Sequence, residues 1–232
     1  MLEVRRSADR GYFDHGWLKT FHTFAFAEYY DPSWVGYGPL RVLNEDRVAP
    51  GRGFGKHGHR DMEIVTYILA GELEHRDSMG TGSVIRVGDV QRMSAGTGVT
   101  HSEFNPSATE AVHFLQIWIL PETQRLPPGY EQKHFSAADK RGRLRPIAAR
   151  ADEDGTVVIH QDARIYAGLF DGAEHADFQV PAGRRAWLQV ARGALSVEAT
   201  SLSAGDGAYT LGPAQLTLHG GTNAEVLLFD LP

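Results

Sequence analysis

The most informative stretch lies between residues 51 and 71, which read GRGFGKHGHRDMEIVTYILAG. Ile64 to Leu69 is rich in β-branched and aromatic residues and runs into a turn at Ala70-Gly71, a pattern typical of a β-strand. Just before it, His57 and His59 stand two residues apart. Because successive side chains of a strand point to opposite faces, residues i and i+2 share one face. The pair therefore presents two nitrogen donors to the same side of the chain.

Further strand-like segments follow, separated by glycine turns such as Gly88-Asp89. They are Ser83 to Val87, Val90 to Ser94 and Val112 to Leu120. Helical periodicity is weak, and one short helix is predicted to start at Ser136 to Asp139. Many short strands joined by glycine turns predict an all-β fold, a sandwich or barrel of the jelly-roll type.

The two halves of the chain resemble each other faintly, and the matches keep their order along the sequence. The matched positions are Gly71 with Gly193, Gly88-Asp89 with Gly205-Asp206, and Pro121 with Pro232. A duplicated β-barrel is the simplest account of such a repeat. We therefore predict an N-terminal domain over residues 1–125 and a C-terminal domain over 126–232, with the linker near Pro121 to Pro128.

Composition excludes several classes of protein. The chain has 232 residues, of which 42% are hydrophobic and 22% charged, as in ordinary globular proteins. Residues 1–120 carry 12 basic and 15 acidic side chains and the remainder 11 and 14, so no basic domain suggests a nucleic-acid partner. No run resembles a membrane span or a signal peptide, which predicts a cytoplasmic protein with no membrane partner. With no cysteine, any metal must be bound by nitrogen and oxygen.

A second pair of donors, His101 and Glu103, has the same spacing as the first. Each pair follows glycine-rich sequence at the entrance to a strand. If the two strands are neighbours in one barrel, three imidazoles and one carboxylate converge. That set suits iron, nickel, copper, manganese or zinc, and it leaves one or two coordination positions open. Glu63 shares the parity of His57 and His59, so the residues alone leave both carboxylates open as ligands.

These motifs resemble known families. Gly51, the two histidines, Glu63 and Gly71 follow the spacing of the first cupin motif. The second cupin motif is resembled by Gly88, Gly96, His101 and Asn105, although Ser94 stands where that motif has proline and the histidine falls two residues late. More narrowly, three segments resemble the pirin family and its bacterial branch of quercetin 2,3-dioxygenases. The segments are His22 to Ala27, His57 to Glu63 and Ser94 to Glu103.

The pirin resemblance implies a bicupin whose N-terminal barrel binds Fe²⁺, with nickel, copper, manganese, zinc or cobalt as alternatives. The implied metal ligands are His57, His59, His101 and Glu103. Glu63 is then a supporting group behind the ligands, a proton acceptor or a salt-bridged strand carboxylate. One departure is Gly58, where many pirins have proline. A side chain at this position of the strand would point away from the metal.

The second half lacks an equivalent site. The repeat maps the donor positions onto residues that form no chelating set, and His219 lies one place off, on the opposite face. The mapped residues are Gln179, Pro181, Arg185, Leu218 and Gly220. The C-terminal barrel is therefore predicted to be a structural partner. Other histidines are expected to be surface or core polar residues, with His113 a satisfied core histidine. The remaining ones without paired spacing are His15, His22, His75, His134, His160 and His175.

The function implied by the resemblance is cleavage of the heterocyclic ring of flavonols such as quercetin with O₂, releasing carbon monoxide. Glu103 and Glu63 are the candidate catalytic residues, and the sequence does not choose between them as the base. Phe54 is a candidate for stacking on the substrate. The alternatives are an iron-dependent, redox-sensing interaction protein of the pirin type and a metal-dependent isomerase, since a fold does not fix a function. A monomer or weak homo-oligomer is expected.

Overall fold

The computed structural model describes residues 1–152 and 154–232. The protein is nearly all β, which confirms the predicted fold class. Its α-helix, α1, spans Ala137–Lys140 at the predicted place. Ser136 caps it, accepting a hydrogen bond from the backbone of Asp139 while the Asp139 carboxylate accepts one in return. A 3-10 helix spans Ser7–Asp9. The helices seen in the described residues are each about one turn long, too short to cross a lipid bilayer.

The strands follow one another along the whole described chain. The first ten are β1 (Glu3–Arg5), β2 (Gly11–Asp14), β3 (Leu18–His22), β4 (Leu40–Val48), β5 (Gly53–His59), β6 (Glu63–Ala70), β7 (Glu72–Asp77), β8 (Gly82–Arg86), β9 (Asp89–Ser94) and β10 (Val99–Phe104). The others are β11 (Val112–Ile119), β12 (Gly129–His134), β13 (Arg145–Ala149), β14 (Val157–Val158), β15 (Arg164–Phe170), β16 (Ala176–Val180), β17 (Arg185–Val197), β18 (Thr200–Ser203), β19 (Gly207–Leu211) and β20 (Ala214–Leu231).

The chain divides into two compact units. The N-terminal unit comprises Gly11–His134 with Val157–Gln161, and the C-terminal unit comprises Met1–Arg10, Phe135–Thr156 and Asp162–Pro232. Each unit thus contains a short segment from the other half of the sequence. The ranges 1–125 and 126–232 stay a prediction about where the chain separates into domains.

Two sheets build the N-terminal unit. One has the strand order β12-β9-β6-β11-β4-β3-β2 and the other β5-β10-β7-β8. The sheets pack face to face, because Leu73 and Ile85 of the smaller sheet share a buried apolar cluster with Ile68 and Phe114 of the larger one. A second buried cluster contains Ile64, Met93, Ala95 and Val99. This is the jelly-roll arrangement predicted from the glycine-punctuated strands.

A row of polar side chains crosses the inner face of the larger sheet between these apolar clusters. Directly opposed residues on antiparallel strands share a face, and the pairing joins the row strand by strand. We call this row the polar layer: His22, Asn44, Gln116, Thr66 and Gln91. Its members are buried or nearly so, and a buried polar group is costly unless it is hydrogen-bonded. Such a row inside a barrel makes this interior a candidate for a functional site.

The C-terminal unit is built around two long strands, β17 and β20, which pair with each other. The order around them is β1-β19-β17-β20-β15-β13, while β16 pairs with β20 and β18 with β17. A large buried apolar cluster lies in its interior. The cluster includes Phe170, Val180, Leu188, Val190, Leu195, Leu216, Leu218, Val226 and Leu228.

The repeated turns adopt the same backbone conformation in both units. Gly71 and Gly193 have φ angles of 72° and 65°, and Gly88 and Gly205 have φ angles of 94° and 87°. An added Cβ at Gly193 would lie 2.3 Å from the backbone oxygens of Thr222 and Asn223, so this position requires glycine on two counts. Matching left-handed turns at matching positions agree with a duplicated barrel.

Candidate metal centre

Three predicted donors meet between two neighbouring strands. β5 pairs antiparallel with β10, and His57 stands directly opposite His101. His59 lies on the same face as His57 because it is two residues further along β5. The condition on which the prediction depended, that the two strands be neighbours, is met.

The imidazole nitrogens of these residues converge. The Nε2 atom of His101 lies 3.0 Å from Nε2 of His59 and 3.1 Å from Nε2 of His57. His101 carries at most one proton on Nε2, so both contacts cannot be hydrogen bonds that it donates. With metal–nitrogen bonds of about 2.1 Å, two ligands at right angles have their nitrogens about 3.0 Å apart. The two observed separations therefore fit His101 as a neighbour of both His57 and His59 among the ligands of one metal ion.

Protonation of the rings suits the same role. The Nδ1–H of His57 donates to the carbonyl oxygen of Gly55 at 2.8 Å, which leaves Nε2 with a free lone pair. Burial lowers the pKa of His59 to about 4. Burial also lowers the pKa of His101, together with the neighbouring His57, His59 and His75 rings, to about 2. His59 and His101 are therefore neutral imidazoles, the form that binds metals, at neutral pH.

Glu103 lies beside this group and is held from the opposite sheet. The Nε2 amide of Gln116 donates to both carboxylate oxygens, at 3.3 and 3.2 Å. The hydroxyl of Thr66 in turn donates to Oε1 of Gln116 at 2.8 Å, which fixes the orientation of the amide. The pKa of Glu103 is raised to about 7, mainly by burial. The hydrogen bond from Gln116 opposes this shift, and the neighbouring Asp46 carboxylate contributes to it. The polar layer thus supports the carboxylate directly.

A bulge in the β5–β10 ladder sets where Glu103 stands. The pairing shifts between His101 and Glu103, so that Glu103 faces Phe54. Bulges of this kind re-aim side chains beside active sites. In this structure the donor atoms of Glu103, His101 and His75 lie within 4.8 Å of one another, as do those of His57, His59 and His101. His101 therefore joins two overlapping groups of metal-binding side chains.

Glu63 occupies a different cluster. Its Oε2 accepts hydrogen bonds from the Ser94 hydroxyl at 2.9 Å and the backbone N–H of His160 at 3.3 Å, and lies 3.2 Å from His160 Nδ1. The parity argument that linked it to His57 does not carry across the gap, because β5 ends at His59 and β6 begins in the other sheet. Asp61, between them, has a positive φ of 49°. Glu63 is nonetheless buried, at 1% exposure.

Two histidines without paired spacing in the sequence belong to these clusters. His75 lies 3.4 Å from His101, Nδ1 to Nδ1, and His160 contacts Glu63. A signal for His75 was present in β7, where Leu73 and His75 alternate with exposed or half-exposed residues. No pattern signals His160, because it comes from the segment after β14, far from Glu63 in sequence. His113, by contrast, is the satisfied histidine that was predicted: its Nε2 lies 2.9 Å from Glu45 Oε1.

Aromatic side chains border the imidazoles on one side. The indole of Trp118 contacts the His59 ring edge-on, with centroids 4.9 Å apart, and Phe26 contacts Trp118 in the same manner at 5.3 Å. The indole Nε1 of Trp118 is buried and has no hydrogen-bond partner among the described residues. Phe54, the residue suggested for stacking, packs on Trp17 at 5.3 Å, at the edge of an apolar cluster.

The C-terminal unit offers no comparable set within the described residues, since both groups of metal-binding side chains lie in the N-terminal unit. Leu218, at a mapped donor position, is fully buried in the apolar cluster. His219 is exposed, and its ring nitrogen contacts the carbonyl oxygen of Glu198 at 2.8 Å. The site therefore belongs to one unit of the duplicated pair.

An all-β fold with two cupin domains and a histidine–carboxylate centre in the first defines a bicupin metalloprotein. The chain belongs to the pirin family: residues 2–119 match the Pirin family and residues 146–231 match the quercetinase C-terminal cupin domain.

Two relatives and one solved structure illustrate the match. Quercetin 2,3-dioxygenase of Escherichia coli (strain K12) is 44% identical over 232 residues, covering 100% of this chain and 99% of its own length. A pirin-like protein of Caulobacter vibrioides is 38% identical and covers 94% of both chains. The structure of bacterial pirin YhhW in complex with nickel(II) from Escherichia coli has a TM-score of 0.95 at 42% identity, covering 100% of this chain and 99% of the other.

Proposed function

We propose that the protein is a metal-dependent dioxygenase that opens the heterocyclic ring of flavonols such as quercetin with O₂ and releases carbon monoxide. The observation that carries the proposal is the convergence of three imidazoles, with Nε2 of His57 and of His59 each within 3.1 Å of His101 Nε2, beside a buried carboxylate. The name of the full-length relative from Escherichia coli supports the same activity.

The donors proposed to hold the metal are His57, His59, His101 and Glu103. An all nitrogen-and-oxygen set suits Fe²⁺, the ion we propose first, and equally Ni²⁺, the ion in the similar pirin structure. When bound, such an ion supplies Lewis-acid stabilisation to the deprotonated hydroxyl of the substrate and brings O₂ beside it. All four donors come from a single chain, so a monomer contains a complete site.

We place the proton acceptor at Glu103. Opening the flavonol ring requires loss of the 3-hydroxyl proton, and a base works best when its pKa lies near the working pH. Burial raises the pKa of Glu103 to about 7 in the metal-free protein, and a bound divalent cation would lower it, so the carboxylate is ionised and able to accept a proton at neutral pH. Gln116 holds both carboxylate oxygens and so fixes where the proton is received. Glu63, bonded to Ser94 and His160, is proposed to support the barrel wall instead.

The aromatic rings beside His59 are proposed to bind the flat substrate. Trp118 offers an indole N–H with no partner among the described residues and an aromatic face or edge, and Phe26 supports it from behind. An apolar body with one polar atom is what recognition of a hydroxylated aromatic ring requires. The substrate class is therefore a planar phenolic compound with adjacent oxygen atoms.

Carbon monoxide release and the loss of quercetin absorbance under air, with metal content measured alongside, test this function. We expect the wild type to produce carbon monoxide in proportion to flavonol consumed. Glu103→Gln should lose turnover, whereas the matched variant Glu63→Gln should keep it. A fully metallated protein that consumes no flavonol would overturn the proposal in favour of an iron-dependent interaction protein. Activity lost in Glu63→Gln and kept in Glu103→Gln would reverse the assignment of the base.

A further inference from the structure

His75 is a buried histidine placed directly behind a proposed metal ligand. It lies in β7, which pairs with β10 so that His75 stands opposite Glu103 and Asp77 stands opposite His101. Its side chain is 0% exposed. The ring packs against Tyr130, with centroids 5.0 Å apart. A polar ring enclosed in this way needs hydrogen-bond partners at both nitrogens.

Both partners are present, and they form a chain. His75 Nε2 lies 3.0 Å from Oδ2 of Asp77, a carboxylate that only accepts, so His75 carries its proton on Nε2. Its Nδ1 then holds a lone pair that faces Nδ1 of His101 at 3.4 Å. The lone pair is satisfied only if His101 carries its proton on Nδ1. His101 Nε2 is thereby left unprotonated, on the side where His57 and His59 meet.

Asp77, at the end of the chain, is itself fixed. Its Oδ1 accepts hydrogen bonds from the backbone N–H groups of Met79 at 2.8 Å and Thr81 at 3.0 Å. Its side chain is 0% exposed. An anchored carboxylate of this kind holds the proton position of the first histidine, and through it that of the second.

We propose that His75, held by Asp77, is a positioning residue that fixes the Nδ1–H tautomer of His101 and so presents Nε2 of His101 to the metal. The inference rests on the metal site of the proposed function, but not on its substrate. It gives a role to His75, which belongs to neither of the two pairs of donors spaced two residues apart.

The competing role for His75 is that of a metal ligand, since its donor atoms lie within 4.8 Å of those of His101 and Glu103. The contacts favour positioning. His75 faces Nδ1 of His101, whereas His57 and His59 face Nε2, so the two groups approach different nitrogens of one ring. Its other nitrogen is occupied by Asp77.

Metal affinity of three variants tests the proposal. In His75→Leu the acceptor for His101 is lost, and we expect Ni²⁺ affinity measured by titration to fall about 10–100-fold, the range typical for such supporting groups. His75→Gln keeps an acceptor for His101 and a donor for Asp77, so it should restore most of the affinity. His113→Leu removes another histidine paired with a carboxylate, one that is only partly buried. It should lower stability and leave Ni²⁺ affinity unchanged.

The wild-type protein provides an independent measurement should His75→Leu fail to fold. In the Zn²⁺-loaded protein, ¹⁵N NMR of the imidazoles is expected to show His75 protonated at Nε2 and unprotonated at Nδ1. A proton on Nδ1 of His75, direct zinc coordination by His75, or unchanged affinity in a folded His75→Leu overturns the inference. Because none of these readouts uses a flavonol, they separate failure of the positioning role from failure of the proposed function.

Discussion

The two units pair their strands by the same scheme and fill their interiors in opposite ways. The N-terminal unit runs β5-β10-β7-β8 and β9-β6-β11-β4, and the C-terminal unit runs β16-β20-β17-β18 and β19-β17-β20-β15. In the C-terminal unit a large apolar cluster occupies the positions between the paired strands. In the N-terminal unit the polar layer and the histidine group lie among apolar clusters. One barrel plan therefore serves both a packed core and a candidate reaction site.

The difference shows that placing a polar site inside a barrel lowers the stability of the fold. In the N-terminal unit several buried polar atoms have no hydrogen-bond partner among the described residues, and they include Asn44 Oδ1, Asp46 Oδ1, Gln91 Oε1 and His22 Nδ1. Each unsatisfied buried group costs about 1–3 kcal/mol. Buried polar atoms without hydrogen-bond partners are typical of interiors that bind a ligand. In the other barrel, the apolar side chains of Leu216 and Leu218 occupy the corresponding face of the strand.

The largest effect is expected from removing a shared ligand. His101 contributes to both groups of metal-binding side chains, so His101→Ala should abolish stoichiometric metal binding and flavonol turnover. The matched change in the other unit, His219→Ala, removes an exposed ring and should leave both unchanged. Metal content after dialysis measures the contrast. Equal metal content in the two variants would contradict the assignment of function to one barrel.

A large effect of the opposite kind is expected in the C-terminal unit. Leu218 is fully buried in the apolar cluster, and Leu218→Ala should lower the free energy of unfolding by about 2–5 kcal/mol because it leaves a cavity. The affinity of the folded variant for Ni²⁺ should stay at the wild-type value. Chemical denaturation and metal titration of the same preparation check both parts. A selective loss of metal affinity without loss of stability would show that this barrel serves the site directly.

Asp46, a buried carboxylate in β4 two residues after Asn44 of the polar layer, should give the protein a pH dependence that an apolar barrel lacks. Burial raises the pKa of Asp46 from 3.8 to about 7. Between those values the folded chain binds more protons than the unfolded chain, so stability falls as pH rises from about 4 to about 7. Asp46→Asn should remove part of this fall, up to a few kcal/mol at about 1.4 kcal/mol per pKa unit. Parallel denaturation profiles for metal-free wild type and variant across this range would contradict the account.

The smallest effect is expected at Trp118, the aromatic residue that contacts the His59 ring. Trp118→Leu keeps an apolar side chain but removes the ring edge beside His59 and the unpartnered N–H. Aromatic contacts contribute about 0.5–1.5 kcal/mol, so KM for quercetin should rise about 2–10-fold. Metal content should not change. A fall in kcat with an unaltered KM would place Trp118 in the reaction rather than in binding.

Much of the fold and the centre of the site were predictable from the sequence because they depend on strand parity. The predicted strands at Ile64 to Leu69 and Val112 to Leu120 fall within or nearly coincide with β6 and β11. The histidine pair needed only that β5 and β10 be neighbours. The parity argument that linked Glu63 to His57 and His59 does not hold, because the chain leaves one sheet and enters the other after His59. His75 and His160 were missed since their partners come from distant segments that no local pattern connects.

Crystals soaked with Ni²⁺ and measured at its absorption edge test the central claim most directly. We predict a single strong anomalous peak per chain, within bonding distance of Nε2 of His57, His59 and His101 and of a Glu103 carboxylate oxygen, with no peak in the C-terminal unit. A peak bound by His75, a peak beside Glu63, or no peak in the N-terminal unit at saturating metal would contradict the claim that one of two equivalent barrels holds the reaction site.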